Sequence, residues 1–352
     1  MSHTKLVSSL LLLAIAATTL NPAIAQKQCR YPAIFSFGAS NADTGGMAAS
    51  LGPPKPPNGE SYFHGPAGRF CDGRIILDFM AQSFGLPFVS PYLDSLGTNF
   101  SAGANFATYG STIVSQDDNI LRSMFSPFNL GIQFQQFQGF RSKTQTIRNQ
   151  GGAIATLMPP NDYFAKALYT FDIGQNDLTA AILTKRTPVV ISASIPKLVN
   201  ALTSNVKDAH GCVKQYNEMA MFFNNYLKDA LVKLRQELPA AKITYVDVYA
   251  AKYSLFSTPE KYGFEQPLVT CCGYGGKYNY NVLAECGEPI NVKGTNSVVG
   301  SCPKPSARVI WDGIHYTEAA NKVVFELTSA GNNNFTDPPT ELKMSCNTVM
   351  MT

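Results

Sequence analysis

The sequence predicts a single α/β domain, a three-layer α/β/α sandwich on a parallel sheet, and two observations carry the prediction. Short apolar runs alternate with longer segments of helical spacing, and no linker divides the chain. Strands separated by helices return by crossover, so they lie parallel with helices on both faces. With 45% hydrophobic against 15% charged residues, the chain has enough apolar material for a large core, which excludes a disordered or collagenous protein. A net charge of +4 lacks the concentrated basic field that phosphate backbones demand, so no nucleic-acid partner is expected.

Residues 1–25 read as a secretory signal: Lys5, an apolar run from Leu6 to Leu20 and a small-residue end, Ala23-Ile24-Ala25, with a cut before Gln26. No later stretch reaches the roughly 20 apolar residues of a spanning helix, so residues 26–352 are expected to be one exported domain without a membrane span. Ala33 to Phe37 forms a buried strand ending at Gly38, with a turn and a helix to follow. Ile75 to Phe84 has helical spacing, Ala104 to Thr108 is a short strand leading into a Tyr109-Gly110 turn, and Ala167 to Ile173 is a strand stopped at Gly174. A long helical region runs from Ile195 to Leu238 with an interruption at Gly211. Ile243 to Val248 and Arg308 to Trp311 read as two further strands, and Thr317 to Ala330 as a closing helix. The Pro-rich stretch Gly52 to Glu60 and the segment Asn332 to Pro338 read as loops.

Cys29, Cys71, Cys212, Cys271, Cys272, Cys286, Cys302 and Cys346 are an even set in an exported chain and predict disulfides, four of them stapling one loop between Cys271 and Cys302. Their connectivity stays open. Neither Cys-x-x-Cys nor Cys/His spacing fits zinc, so no metal and no organic cofactor is expected. The sequons at Asn99 and Asn334 are candidate glycosylation sites, in keeping with export.

In parallel sheets the working groups gather at the carboxyl ends of the strands. Of the four histidines, His3 leaves with the signal, while His64 in a Gly/Pro-rich loop and His210 in a helical segment read as ordinary packing or surface residues. His315 follows the last expected strand, three residues after Asp312 across a Gly-containing turn. A carboxylate so placed accepts the Nδ1 proton and leaves Nε2 as a base. Ser40, two residues beyond the first strand, offers a hydroxyl at a strand end, where a helix N-cap is the equal alternative. Gly110 and Asn176 lie in turns after two other strands and offer an N–H and a side-chain amide to an oxyanion, although a glycine turn and an Asn-Asp helix cap would look the same. A G-x-S-x-G nucleophile elbow is absent from the chain.

The ordered set FGASNADTGG (37–46), GRFCDGRIILDF (68–79), GANFATYGSTI (103–113), DIGQNDL (172–178), CCGYGG (271–276) and WDGIHYTEAAN (311–321) resembles the plant GDSL esterase/lipases of the SGNH hydrolase superfamily. The likeness is greatest to an early-nodulin-like branch, some of whose members are named α-L-fucosidases. It implies a flavodoxin-like sandwich and a triad of Ser40, His315 and Asp312, with an oxyanion hole made by the Ser40 N–H, Gly110 and Asn176. It therefore implies a serine esterase acting on small-molecule or glycan esters. One departure stands out: where the family block reads Gly-Asp-Ser, this chain has Ala39, which bears on how the nucleophile turn is held and on the efficiency of water attack.

Two other readings follow, an acyltransferase and a secreted binding or defence protein of reduced activity. The glycosidase name rests on analogy alone, since no pair of carboxylates can be set across a glycosidic bond from the sequence. The expected protein is a monomer in the extracellular space, cell wall or vacuole. Its chemistry requires Ser40 and His315 to meet as hydrogen-bonded neighbours at one rim of the sheet.

Overall fold

Five buried residues, Ile34–Gly38, form β1, flanked on either side by a parallel partner. The computed structural model describes residues 29–94, 96–115, 125–183, 210, 214–281 and 283–344; the signal segment, Gly211, Cys212, Cys346 and the start of the expected long helix lie outside the described residues. The other strands of this sheet are β2 (Gly103–Asn105) and β3 (Leu168–Asp172), in the order β2-β1-β3. Ile34 pairs with Gly103 and Leu168, and the strand ends are level where Gly38 meets Asp172. The helices in chain order are α1 (Gly46–Leu51), α2 (Ile76–Ser83), α3 (Leu130–Gln150), α4 (Gln175–Leu183), α5 (Lys214–Glu237), α6 (Val248–Ser257) and α7 (Glu318–Ser329), besides two short turns at Gly152–Thr156 and Tyr163–Lys166.

Alternation along β1 divides the core. Phe35 and Phe37 point to one face, where Phe35 lies 5.4 Å from the ring of Phe137 on α3 and 4.9 Å from that of Phe164, and Phe37 stacks 5.2 Å from Phe106. Ile34 packs on the other face with Leu77 and Ala81 of α2, Cys71, Val89 and Trp311. The sheet therefore has helices on both faces, as the alternating pattern predicts. A third cluster joins α6 to α7 through Ala251, Leu255, Ala320 and Val324. Helix α7 starts where Thr317 accepts a hydrogen bond from the Ala320 N–H, an N-cap that fixes its first turn.

Two expected strands are not part of the parallel sheet. From the run Ile243 to Val248 only β4 (Tyr245–Val246) is extended, and it pairs antiparallel with β7 (Thr336–Asp337). The cause is local: the Asp247 side chain accepts from the Ala250 N–H and caps α6, so the helix takes Val248 from the run. Residues Arg308 to Trp311 make a single antiparallel bridge, Ile310 to Tyr316. Thr317 takes the Arg308 and Val309 carbonyls and the cysteine segment the other two, with Cys271 N–H donating to Ile310 O at 2.9 Å and Cys272 N–H to Trp311 O at 2.6 Å.

That segment is stapled as expected. Cys271 pairs with Cys302 and Cys272 with Cys286, and between them runs a hairpin, β5 (Pro289–Val292) and β6 (Thr295–Val298). Cys29 is also disulfide-bonded, whereas Cys71 is a free, buried thiol whose Sγ lies 3.0 Å from the Gly73 carbonyl. Cys71 thus stands outside the disulfides that the even cysteine set predicts.

Helix α3, not anticipated from the sequence, has a second task besides carrying Phe137 and Phe140. Its Gln133 is fully buried; Oε1 accepts from the Gly38 N–H at 2.9 Å while Nε2 donates to the Gly38 carbonyl at 2.9 Å. One side-chain amide thereby continues the sheet pairing at the last residue of β1. Gln133→Leu leaves the Gly38 N–H without a partner in the core and is expected to cost about 1–3 kcal/mol in a urea unfolding series, with the m-value unchanged. A loss below about 0.5 kcal/mol would mean that the strand end does not depend on this amide.

Candidate active site

The turn that carries Ser40 follows directly from the end of β1. A Cβ at Gly38 would collide with the Asp172 carbonyl, so only glycine allows β1 and β3 to approach this closely. The Ala39 N–H donates to Asp172 O at 3.1 Å, and the Asp43 N–H to Ser40 O at 3.3 Å. Together with Gln133 these bonds hold the turn by its backbone, and none of them uses the side chain at position 39. Ser40 is 9% exposed, and neither its hydroxyl nor its N–H has a partner among the described residues.

Asp43 is the organising group here. Its buried carboxylate accepts four backbone N–H bonds: Oδ1 from Gly45 at 2.8 Å and Gly46 at 2.6 Å, Oδ2 from Met47 at 3.1 Å and Tyr109 at 2.7 Å. Burial pushes this carboxyl above its ordinary range and the four donors pull it back only in part. Three donors belong to the start of α1, and the fourth to the turn after β2. One side chain therefore sets the distance between the Ser40 turn and the Gly110 turn.

A second carboxylate grips that turn from its far end. Asp177, in the first turn of α4, accepts from the Ile113 N–H at 2.9 Å and the Val114 N–H at 3.3 Å, and burial pushes its carboxyl up as well. Beside it, Asn176 Nδ2 donates one hydrogen to Ser111 O at 2.8 Å, and its second N–H has no acceptor among the described residues. Gly110, at φ +74°, is in the left-handed region and its carbonyl accepts from Ser126 N–H at 3.0 Å. The Gly110 N–H finds no acceptor among the described residues. The structure thus ties Gly110 and Asn176 to one turn, which Asp43 links to the start of α1 and Asp177 to the start of α4.

Asp312 and His315 form the other half of the site. The Asp312 Oδ1 accepts the His315 N–H at 2.7 Å and the Ile314 N–H at 2.9 Å, and Oδ2 lies 2.6 Å from His315 Nδ1. Burial pushes the Asp312 carboxyl up, but the charge and hydrogen bonds of His315 and the two N–H donors outweigh it and hold it below the ordinary value. Gly313 lets this turn close, at φ +92° and with the Tyr280 ring where a Cβ would be. His315 is 4% exposed, and its buried Nε2 has no hydrogen-bond partner among the described residues. The expected hydrogen bond from Ser40 to His315 is therefore not formed in this structure.

Tyr109 is the residue that spans the two halves. Its N–H belongs to Asp43 and its ring centroid lies 5.6 Å from that of His315, with Phe70 packed 4.4 Å from Tyr109 and 5.8 Å from His315. The other histidines lie elsewhere: His64 is exposed in its loop, and His210 packs edge-on against Tyr253 at 5.7 Å. Asp43, Asp177 and Gln133 escape a reading by motif chemistry, because each works only through backbone groups; the visible signals are helix-start patterns, Asp43 before Gly45-Gly46 and the Asn176-Asp177 pair. Both sequon residues, Asn99 and Asn334, are exposed. Among the described residues no helix is long and apolar enough to cross a membrane, and no group of three or more His, Cys, Asp or Glu could hold a metal ion.

Known proteins similar to this chain are esterases and lipases by name, with one named a fucosidase. GDSL esterase/lipase ENOD8 of Medicago truncatula is 52% identical over 358 residues, which is 92% of each chain. An esterase of Hevea brasiliensis is 49% identical across 93% of this chain and 92% of its own, and Alpha-L-fucosidase 3 of Arabidopsis thaliana 43% across 93% and 97%. Since residues 34–328 match the family described as GDSL-like lipase/acylhydrolase, a span that takes in β1 and the Asp312–His315 pair, the chain belongs to that family of carboxylic ester hydrolases.

Proposed function

We propose that this chain is an exported serine carboxylesterase that works through an acyl-enzyme on Ser40. The observation that carries the reading is the His315 Nε2, buried and unpartnered while Nδ1 is held by Asp312. A buried nitrogen left bare is costly unless it has work to do in the reaction. With the Nδ1 proton on the Asp312 side, Nε2 is the acceptor, as a general base must be. Export is supported by the signal-like residues 1–25 and by two exposed sequons, Asn99 and Asn334. Small-molecule or glycan esters are the substrate class, met in the extracellular space, the wall or the vacuole.

The chemistry follows from these positions. His315 Nε2 takes the Ser40 hydroxyl proton as Oγ forms a bond to the ester carbonyl carbon. Negative charge then gathers on the carbonyl oxygen. The Ser40 N–H, the Gly110 N–H and the second N–H of Asn176, none of which has an acceptor among the described residues, are the donors for it. As the intermediate collapses, the carbon–oxygen bond to the alcohol breaks and His315 returns the proton to the departing alcohol. Water, deprotonated by the same nitrogen, releases the acid and restores Ser40. Asp312 orients the ring and stabilises its cationic form throughout.

Ser40→Ala and His315→Ala are each expected to lower kcat on 4-nitrophenyl acetate by about three orders of magnitude or more. Full activity in Ser40→Ala would remove the proposal. Asp43→Asn keeps a buried polar group but disturbs the link to Tyr109, so kcat should fall about tenfold with KM within about threefold, the mark of a positioning residue; an effect on KM alone would count against that role. Asp312 has a lowered folded-state pKa, so its contribution to stability is complete above the ordinary carboxylate range and is lost as the pH falls. Acid unfolding followed by circular dichroism should therefore be shallower in Asp312→Asn than in the wild type, and equal slopes would contradict the pairing.

A further inference from the structure

The rings around His315 are more than the imidazole needs to stay in place, since Asp312 already holds it at Nδ1 and at the backbone. Phe70 and Tyr109 stand half-buried against it, and Tyr280, 42% exposed, lies on Gly313 between Asp312 and His315. Tyr280 is carried there by the loop that the Cys272–Cys286 disulfide closes, 14 residues apart in sequence. Among the described residues none of these three rings is covered by a Lys or Arg of the chain itself. The charges that reach them are negative: Asp312 and Glu285 both act on the Tyr109 and Tyr280 phenols, and burial followed by those charges pushes Tyr109 up to about 12. At neutral pH the surface thus consists of neutral rings in a negative field, which disfavours an anionic group.

Its side of the reaction is fixed by chemistry. The nitrogen that returns a proton to the leaving alcohol must lie beside that alcohol, whereas the oxyanion donors flank the carbonyl. We infer that Phe70, Tyr109 and Tyr280 form a subsite for a neutral aromatic group in the alcohol half of the ester. This rests on the serine-esterase reading above and names its substrate class: acyl esters of arylalkyl alcohols. Aromatic groups gain from offset or edge-on ring packing that a saturated ring of equal size cannot match.

The test compares 2-phenylethyl acetate with 2-cyclohexylethyl acetate, which share the acyl group, the chain length and closely similar leaving oxygens. In the wild-type protein kcat/KM should favour the phenyl ester by about tenfold. The preference should persist in Tyr280→Phe and fall towards one in Tyr280→Leu, which keeps bulk over Gly313 but loses the ring. A wild-type ratio near one, a ratio unchanged in Tyr280→Leu, or a preference confined to the acyl side, read from ethyl 3-phenylpropanoate against ethyl 3-cyclohexylpropanoate, would overturn the subsite while leaving hydrolysis intact. Calorimetric binding of 2-phenylethyl acetate to Ser40→Ala, alone and combined with Tyr280→Leu, separates the two claims. Tyr280-dependent binding, together with a wild-type protein that turns over no ester, would uphold the aromatic subsite and remove the esterase reading, and binding indifferent to Tyr280 would overturn the subsite.

Discussion

Everything at the site depends on a carboxylate being kept where water cannot reach it. Asp43 is buried, and an isolated charge there would be far costlier than the fold could bear. It is tolerated because four backbone N–H groups converge on it, three of them from the start of a helix, where the backbone partial charge is positive. The fourth donor is Tyr109. Satisfying the carboxylate therefore obliges the turn after β2 to sit against the turn after β1, and the donors beside Ser40 and Gly110 inherit that spacing.

The same logic of backbone capture recurs around the rim. Gln133 completes the hydrogen bonding of Gly38, Asp177 that of Ile113 and Val114, and Asp312 that of Ile314 and His315. Each side chain fixes a loop that has no regular structure of its own. A three-stranded sheet can in this way position many loop groups: the strands supply level ends, and buried polar side chains extend the order into the loops. The same backbone capture also makes Ala39 intelligible. The turn is secured through the backbone of residues 38, 39 and 43, so a methyl group at 39, itself buried, leaves those bonds in place.

How far the sequence foretold this differs from part to part. β1, β3 and α7 were legible because an apolar run stopped by glycine and an amphipathic run preceded by a threonine cap are local signals. β4 and the segment Arg308 to Trp311 misled because a β-branched run reads alike whether it joins a parallel sheet or pairs with a loop, and only tertiary hydrogen bonding decides. Helix α3 was overlooked since its exposed face is rich in Gln and its apolar stripe is narrow. At the site, residues whose chemistry is intrinsic, His315 with Asp312 above all, could be found by type and spacing. Asp43, Asp177 and Gln133 could not, because the partners that give them meaning lie 64 to 95 positions away, and the aromatic setting of His315 depends on remote chain segments, which no periodicity encodes.

The central claim is that Ser40, the oxyanion donors and the bare nitrogen of His315 converge on one reacting carbon. A crystal structure of the protein after reaction with a fluorophosphonate tests this most directly. The account predicts phosphorus on Ser40 Oγ, with its oxygen about 2.7–3.1 Å from the Ser40 N, Gly110 N and Asn176 Nδ2, and His315 Nε2 within hydrogen-bond reach of Oγ. An adduct on another residue, or a phosphoryl oxygen turned away from Gly110 and Asn176, would contradict it.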